Sequence, residues 1–464
     1  MKNIGPWSFY REALQIALPV MMQQLIMSLV SLIDNFMVAG LGDAKMAAVN
    51  VANQVNFVYL VVIWTLCGAG GIYLAQFRGA NDAEGMKQAY RFKTIMALLV
   101  SAVYFVILWT IPEQLISVMT IGNSAQAEIV GYGAEYLRLI SFTLFPIAIS
   151  TAIGTAFREI GLPRIPLAIS VVSTLINTLG NYILIYGNFG APRLEITGAA
   201  FATIVARLVE VGAFLIYIKL KSIEFYVPFR QLHHIKPKLM GEILGKSGMM
   251  VLSETTWVVS ETVVTALYNS RGGAEVVAGM AAGWTIANVF FLVFGGIHAA
   301  TAVVVGGVLG AGRLDEARNR ANWLKFGSFI AGIVVGLGAV LSTLLIPLVF
   351  GNLTPNARLI TSGLVLVIAF YMPIWTLLNA QFAISRAGGD TALGMYVDVS
   401  VNTLLFVPGA FLLTLGTTMG PVPMFAIIKI TDVVKYLIAR WYLKKERWVR
   451  NLTVRPEIEE AAHL

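Results

Sequence analysis

Apolar runs of about twenty residues or more, the length a helix needs to cross a bilayer core, recur along the whole chain with short polar breaks between them. We place helical spans at about 12–39, 45–76, 92–112, 130–157, 164–187, 196–218, 240–269, 275–309, 322–350, 357–385, 391–414 and 421–442. Several exceed the minimum length, which predicts tilted or kinked helices. Pro19 lies inside the first run and removes a backbone hydrogen bond there. Backbone polar groups in lipid must be satisfied within their own segment, so the expected fold class is an all-α integral membrane protein with 12 transmembrane helices. Composition agrees: charged residues are 12% of the chain, where a soluble domain carries about 25%. So few charges cannot coat a water-facing surface over 464 residues.

Loop charge orients this map. Lys and Arg gather on cytoplasmic loops, and most of the 33 basic residues fall on one set of alternating segments, which also includes both ends of the chain. That set holds Lys2 and Arg11, then Arg78, Lys87, Arg91 and Lys93, then Arg158 and Arg164, and the cluster from Lys219 to Lys246. It continues with Arg313, Arg318, Arg320 and Lys325, then Arg386, and closes with the run from Arg440 to Arg455. The opposite loops hold only Lys45, Arg193, Arg271 and Arg358. Both termini are therefore expected in the cytoplasm, in a multi-pass cell-membrane protein. The net charge of +8 is spread over these segments as a topology signal, which argues against a nucleic-acid partner. The first apolar run is long enough to span, and no cleavable leader stands out before it. The lone Cys67 sits in an apolar run, so neither a disulfide nor a cysteine-ligated metal is expected.

The longest inward segment, 219–239, carries Lys219, Lys221, Arg230, His233, His234, Lys236 and Lys238, and reads as a solvated basic linker between two halves. The expected organisation is a lobe at 1–218, the linker, a second lobe at 240–442 and a cytoplasmic tail at 443–464. The halves echo each other. Phe77-Arg78-Gly79-Ala80-Asn81-Asp82-Ala83-Glu84 follows the second span, and Leu309-Gly310-Ala311-Gly312-Arg313-Leu314-Asp315-Glu316 follows the eighth. Phe157-Arg158-Glu159-Ile160-Gly161 follows the fourth, and Ser385-Arg386-Ala387-Gly388-Gly389 the tenth. A repeat of six spans keeps the same orientation in both halves, which predicts two pseudo-symmetric six-helix lobes related by an axis along the membrane normal.

Soluble-enzyme signatures are missing. Gly241-Glu242-Ile243-Leu244-Gly245-Lys246-Ser247 is one residue short of a phosphate-binding loop and follows no strand, so no ATP site is expected and the chain is not read as an enzyme. Ionisable residues within spans are then the informative ones, since each costs about 2.5–3.5 kcal/mol or more at the bilayer centre. Asp34 lies in the first span. Glu254 and Glu261 lie in the seventh, seven residues apart and so on one helical face, with Trp257 one turn from Glu254. Carboxylates beside an aromatic ring suit an organic cation, and the same carboxylates could take Na⁺ or H⁺. Arg207 with Glu210, and Lys429 with Asp432, are three apart and read as local ion pairs. Asp398 has no local partner and stays undecided. Asn177 and Asn181 share a face of the fifth span, and Thr203 on the sixth offers a hydroxyl. These could hold Na⁺ or simply bond helix to helix.

At these residues the chain resembles the multidrug and toxic compound extrusion (MATE) family. The stretches that carry the resemblance are LIDNFMVAGLGDAKMAAVNVANQV from Leu32, NYILIYG from Asn181 with TGAAFAT from Thr197, GGVLGAGRLDEARNRA from Gly306 and ISRAGGDT from Ile384. The resemblance implies a V-shaped pair of six-helix lobes that exports amphipathic, often cationic, organic compounds against inward Na⁺ or H⁺. It also implies roles: Asp34, Asn177, Asn181 and Thr203 as a cation-coupling cluster, Pro19 as a helix bend, and Glu254 as the seventh-helix glutamate of the NorM-type branch. The DinF-type branch carries an aspartate where this chain has Asn181, so the N-terminal polar residues look closer to the NorM type. The acid that the NorM-type branch carries on the tenth helix should fall near Trp375, with Asn379 the nearby polar residue, and is missing. The leading expectation is a monomeric secondary multidrug antiporter with no cofactor beyond its coupling ion. A lipid-linked oligosaccharide flippase of the same superfamily and a non-transporting membrane receptor or scaffold are the alternatives.

Overall fold

The computed structural model describes residues 4–121 and 124–454. Lys2 and Arg455, counted above among the inward basic residues, and the end of the 443–464 tail lie outside the described residues. Twelve long helical segments follow in chain order: α1 (Trp7–Ala39), α2 (Asp43–Gly79), α3 (Ala83–Thr110), α4 (Gln126–Glu159), α5 (Arg164–Tyr186), α6 (Glu195–Lys221), α7 (Pro237–Asn269), α8 (Ala274–Gly310), α9 (Leu314–Val349), α10 (Pro355–Ala387), α11 (Ala392–Gly416) and α12, which is broken at Lys429 into Pro421–Ile428 and Ile430–Leu443. A short helix, Pro112–Met119, precedes α4. No strand occurs among the described residues.

The helices overrun the apolar runs that announce them. α3 begins at Ala83 and α9 at Leu314, where the hydropathy pattern starts at about 92 and 322. Hydropathy registers only the stretch solvated by lipid, whereas the backbone continues its ladder through a basic, water-side turn. Asp82 caps α3, its Oδ1 accepting from the Gly85 amide at 2.9 Å. A 33-residue helix such as α1 is about 50 Å long, well beyond a hydrocarbon core of about 30 Å. The expected irregularities are present: Pro19 in α1, Pro373 in α10, and π-turns at Ala302–Gly306 in α8 and Asn402–Phe406 in α11. Large apolar side chains cover the outside, Leu348, Leu415 and Phe370 each more than 70% exposed. That distribution is unfavourable in water and normal in lipid. Ten of the described helices are long and apolar enough to cross a membrane by length and composition alone. α7 and α12 are the two that fall short, α12 because it is broken and both because they carry charge.

Contacts divide the chain into two compact units, Met22–Leu74 with Asp82–Leu244, and Met1–Met21 with Ala75–Asn81 and Gly245–Leu464. In the first, Tyr59, Ile63, Leu137, Ala148, Ala152 and Ile185 belong to one buried cluster. The Tyr59 hydroxyl meets Ser101 Oγ at 2.8 Å and donates to the Leu144 carbonyl at 2.7 Å. The 219–239 stretch lies in this unit and is held rather than loose. Gln88 donates to the His234 carbonyl and accepts from the Lys236 amide, at 3.1 and 2.9 Å, and Phe225 is buried.

In the second unit the ends of α2 and α8 approach so closely that only glycine fits. A Cβ on Gly79 would strike the Gly307 carbonyl, and one on Gly310 would strike the Gln76 carbonyl. Gln76 also ties in the tail: its Nε2 donates to the Ala387 carbonyl at 2.8 Å, and its Oε1 accepts from the Leu452 amide at 2.7 Å.

The internal repeat is visible in the backbone. Asn81 and Gly312, at matching places in the two loops, both have positive φ, 55° and 75°. Gly161 and Gly389, at 84° and 75°, end their helices with the same pair of bonds. Gly161 N donates to Arg158 O and Leu162 N to Phe157 O, as Gly389 N does to Arg386 O and Asp390 N to Ser385 O. These left-handed closures are what the repeated Gly positions encode. Replacing Gly79 or Gly310 by Val should destabilise the purified protein by about 1–3 kcal/mol through overpacking against backbone that cannot yield. Thermal unfolding in detergent measures it, with Gly131→Val, which meets nothing within contact range, as the control.

Candidate functional site

The first polar cluster is set by how closely α5 and α6 pack. A Cβ on Gly180 would lie 2.9 Å from Ala202 Cβ, and one on Gly198 would press on the Leu184 carbonyl. Gly180 sits between Asn177 and Asn181, and Ala202 next to Thr203, so this contact brings the amides and the hydroxyl together. α1 adds Asp34. Asn181 Nδ2 donates to Asp34 Oδ1 at 2.8 Å, across 147 residues of sequence.

Asn177 bridges Asp34 and Thr203. Its amide is satisfied when Nδ2 donates to Asp34 Oδ2 at 2.9 Å and the oxygen accepts from Thr203 Oγ1 and N at 3.1 and 3.3 Å. Asn181 is 2% exposed, and its Oδ1 has no hydrogen-bond partner. A carboxylate, two amide oxygens and a hydroxyl make a set of hard oxygen donors, the chemistry a small hard cation requires. A proton on Asp34 is the other occupant the set accommodates.

Nearer the start of the chain, α1 is anchored by a residue that reading for charge overlooks. Gln23, buried, donates to Ser170 Oγ at 2.6 Å and accepts from Arg158 Nη2 at 2.7 Å. Ser170 reaches Glu210 at 3.4 Å, and Glu210 takes Arg207 at 2.7 Å, the expected local pair. Nearby, Lys93, fully buried, pairs with Glu159, 10% exposed, at 2.6 Å, made possible by Gly70 and Gly71, where any Cβ would meet Lys93 or Glu159. The signal for both features was available: a glutamine and a lysine continuing into helix where no solvent is expected.

In the other unit, each of the seventh-helix carboxylates has a cation. Glu254 Oε1 accepts from Arg386 at 2.9 Å and Glu261 Oε1 from Lys429 at 2.5 Å. Lys429 does not pair with Asp432 three residues on. It stands at the break in α12, within 4.6–5.8 Å of the ring centroids of Phe406, Phe425 and Trp375. An ammonium so desolvated needs a full negative charge, and Glu261 supplies it. Asp432 Oδ2 accepts instead from Trp375 Nε1 at 2.8 Å. The tenth helix thus lacks an acid near Trp375 but receives one from α12. Asp398 accepts from Ser253 at 2.7 Å and lies 3.4 Å from Lys435, which is itself 3.6 Å from Asp432. Asn379 bonds His298 at 3.3 Å. Trp257, 46% exposed, has no part in these pairs. Pro19 lies in the first helix as read, four residues before Gln23.

A family model described as MatE matches the chain in two stretches, residues 19–183 and 250–412. The probable multidrug resistance protein NorM of Halalkalibacterium halodurans is 23% identical over 443 residues, covering 93% of each chain. The multidrug resistance protein NorM of Vibrio vulnificus strain YJ016 is 25% identical over 366 residues, covering 76% of each. The fold matches a crystal structure of a MATE protein in the bent conformation with a TM-score of 0.81 at 20% identity, covering 95% of this chain and 97% of that one. The two matched stretches fall on the two halves that the sequence repeat defines.

Removing the carboxylate with Glu261→Gln should strand Lys429 and cost about 3 kcal/mol or more of stability. Lys429→Met together with Glu261→Gln should recover most of it. A double-mutant cycle on thermal unfolding in detergent reads the coupling.

Proposed function

Because the chain belongs to the MatE family, we propose that it is a secondary active multidrug exporter, taking up Na⁺ or H⁺ inward as amphipathic, mainly cationic, organic compounds leave. Asp34, Asn177, Asn181 and Thr203 bind the coupling ion. The observation that carries this is the convergence of α1, α5 and α6 on Asp34, with a buried Asn181 oxygen left without a partner. The relatives' names, multidrug resistance protein NorM, support the substrate class.

The energetics are adequate. One inward monovalent cation gains about 2.3 kcal/mol per 100 mV, and a tenfold ion gradient adds about 1.4 kcal/mol. For a neutral compound these together sustain an outward gradient of roughly a few hundredfold. For a monovalent cationic compound exchanged one for one the electrical terms cancel, and only the chemical gradient drives export. A flippase for lipid-linked sugars would need a cavity rich in unpaired cations. Lys93, Arg207, Arg386, Lys429 and Lys435 are each matched to a carboxylate, and Arg158 donates to Gln23. A scaffold has no use for an ion-binding cluster at Asp34.

The protein is a multi-pass cell-membrane protein in this reading, functions as a monomer and keeps both termini in the cytoplasm. In a Cys67→Ser background, Arg193→Cys should be labelled from outside intact cells by an impermeant maleimide, and Lys236→Cys only after the cells are opened. The reverse pattern would invert the orientation. In proteoliposomes with Na⁺ and pH gradients imposed separately, Asp34→Asn should reduce ion-driven efflux of a cationic dye at least tenfold. Retained efflux with an unchanged ion dependence rejects the coupling site.

A further inference from the structure

The charges gathered around Lys435 in the C-terminal unit do not balance. Glu254, Glu261, Asp398 and Asp432 bring four negative charges, and Arg386, Lys429 and Lys435 three positive ones. Glu254 and Glu261 each own a cation. Asp398 and Asp432 share Lys435, and all three side chains are at most 11% exposed. One negative charge is therefore left in a setting where lipid, not water, is the surrounding solvent, and such a charge has to be neutralised locally.

The geometry locates it. Asp398 Oδ2 is taken by Ser253 Oγ at 2.7 Å, and Asp432 Oδ2 by Trp375 Nε1 at 2.8 Å. Both Oδ1 atoms turn to Lys435 Nζ at 3.4 and 3.6 Å. These are loose contacts for charge-assisted bonds, which close to about 2.7–2.9 Å. Independently, Asn402, one helical turn after Asp398 and at the start of the α11 π-turn, is 1% exposed with neither side-chain Nδ2 nor Oδ1 partnered. A further donor and acceptor is thus available on the face that carries Asp398.

We propose that Asp398 and Asp432, bridged by Lys435, form a proton-binding site that exchanges one proton with water separately from the Asp34 cluster. On uptake an O–H bond forms on one aspartate, and the network passes from a net single negative charge to neutral. On release the proton returns to water. The Lys435 ammonium already stands where a metal ion bridging the two carboxylates would lie. Among the described residues no three His, Cys, Asp or Glu side chains are grouped to hold a metal. The other titratable groups facing this site are accounted for. Glu254 and Glu261 on α7 are ion-paired, and Lys429 on α12 and Arg386 on α10 are their partners. Tyr371 on α10 donates to the Ala426 carbonyl at 2.8 Å, and His298 on α8 bonds Asn379. The Tyr268 hydroxyl on α7 is buried without a hydrogen-bond partner. The inference adds to the exporter reading and does not depend on it.

The test removes Asp34 first, so that its cluster does not contribute. Asp34→Asn protein, purified in detergent and weakly buffered, should take up about one proton per chain more, in a pH titration followed with an indicator dye, than the same protein with Asp398→Asn or Asp432→Asn added, because the surface carboxylates and histidines are common to all three. Equal uptake with and without the added substitutions overturns the proposal. So does displacement of the proton by Na⁺ but not by choline at fixed pH, which would make the site a metal site. Should either double variant fail to fold, Ser253→Ala in the Asp34→Asn background keeps both carboxylates. It should retain the uptake and move its midpoint, and an unmoved midpoint counts against the proposal.

Discussion

A charge placed among lipid-solvated helices has to find its counter-charge within the protein, because no water is there to carry the cost. That constraint organises both units. Around Asp34 it is met by neutral groups, the amides of Asn177 and Asn181 with the Thr203 hydroxyl behind them. Around Glu254, Glu261, Asp398 and Asp432 it is met by two lysines and an arginine supplied from α10 and α12. The first solution leaves a carboxylate responsive to an ion, and the second locks most of its carboxylates.

The two solutions rest on opposite kinds of packing. The Asp34 cluster depends on glycine and alanine, with Gly180 against Ala202 and Gly198 against Leu184, because short polar side chains meet only if helices are close. The C-terminal network depends on irregular helices. Lys429 stands at the break in α12, beneath Phe406 at the end of the π-turn in α11. Irregular backbone inside a membrane bundle is tolerated where neighbouring protein satisfies it. Here those irregularities fall where the lysine and the aromatic rings meet.

How much of this was legible in the sequence depends on the range of the interaction. The twelve spans, their order and the repeated loops were readable because hydropathy and Gly placement are local signals. The loops after α2 and α8 even share a left-handed position, filled by Asn81 in one and Gly312 in the other. Asp34, Asn177, Asn181 and Thr203 could be nominated because polar residues in spans are costly, and the structure brings all four together. The pairing of Lys429 was misread: three-residue spacing pointed to Asp432, yet the ammonium goes to Glu261, 168 residues away in sequence. Gln23 carries the same signal, but its partners, Ser170 and Arg158, are set by packing and not by spacing.

The sequence by itself therefore determined the membrane architecture, the two-fold internal repeat and which polar residues had to be explained. Tertiary structure alone decided which of those carboxylates are neutralised by a fixed cation and which are not. The physical reason is that the price of a buried charge is set by residue type, which is local, whereas its compensation is set by whichever helix packs alongside, which is not. Asp398 shows both sides: its sequence position marked it as costly, and only the packing of α7, α11 and α12 placed Ser253 and a shared Lys435 against it.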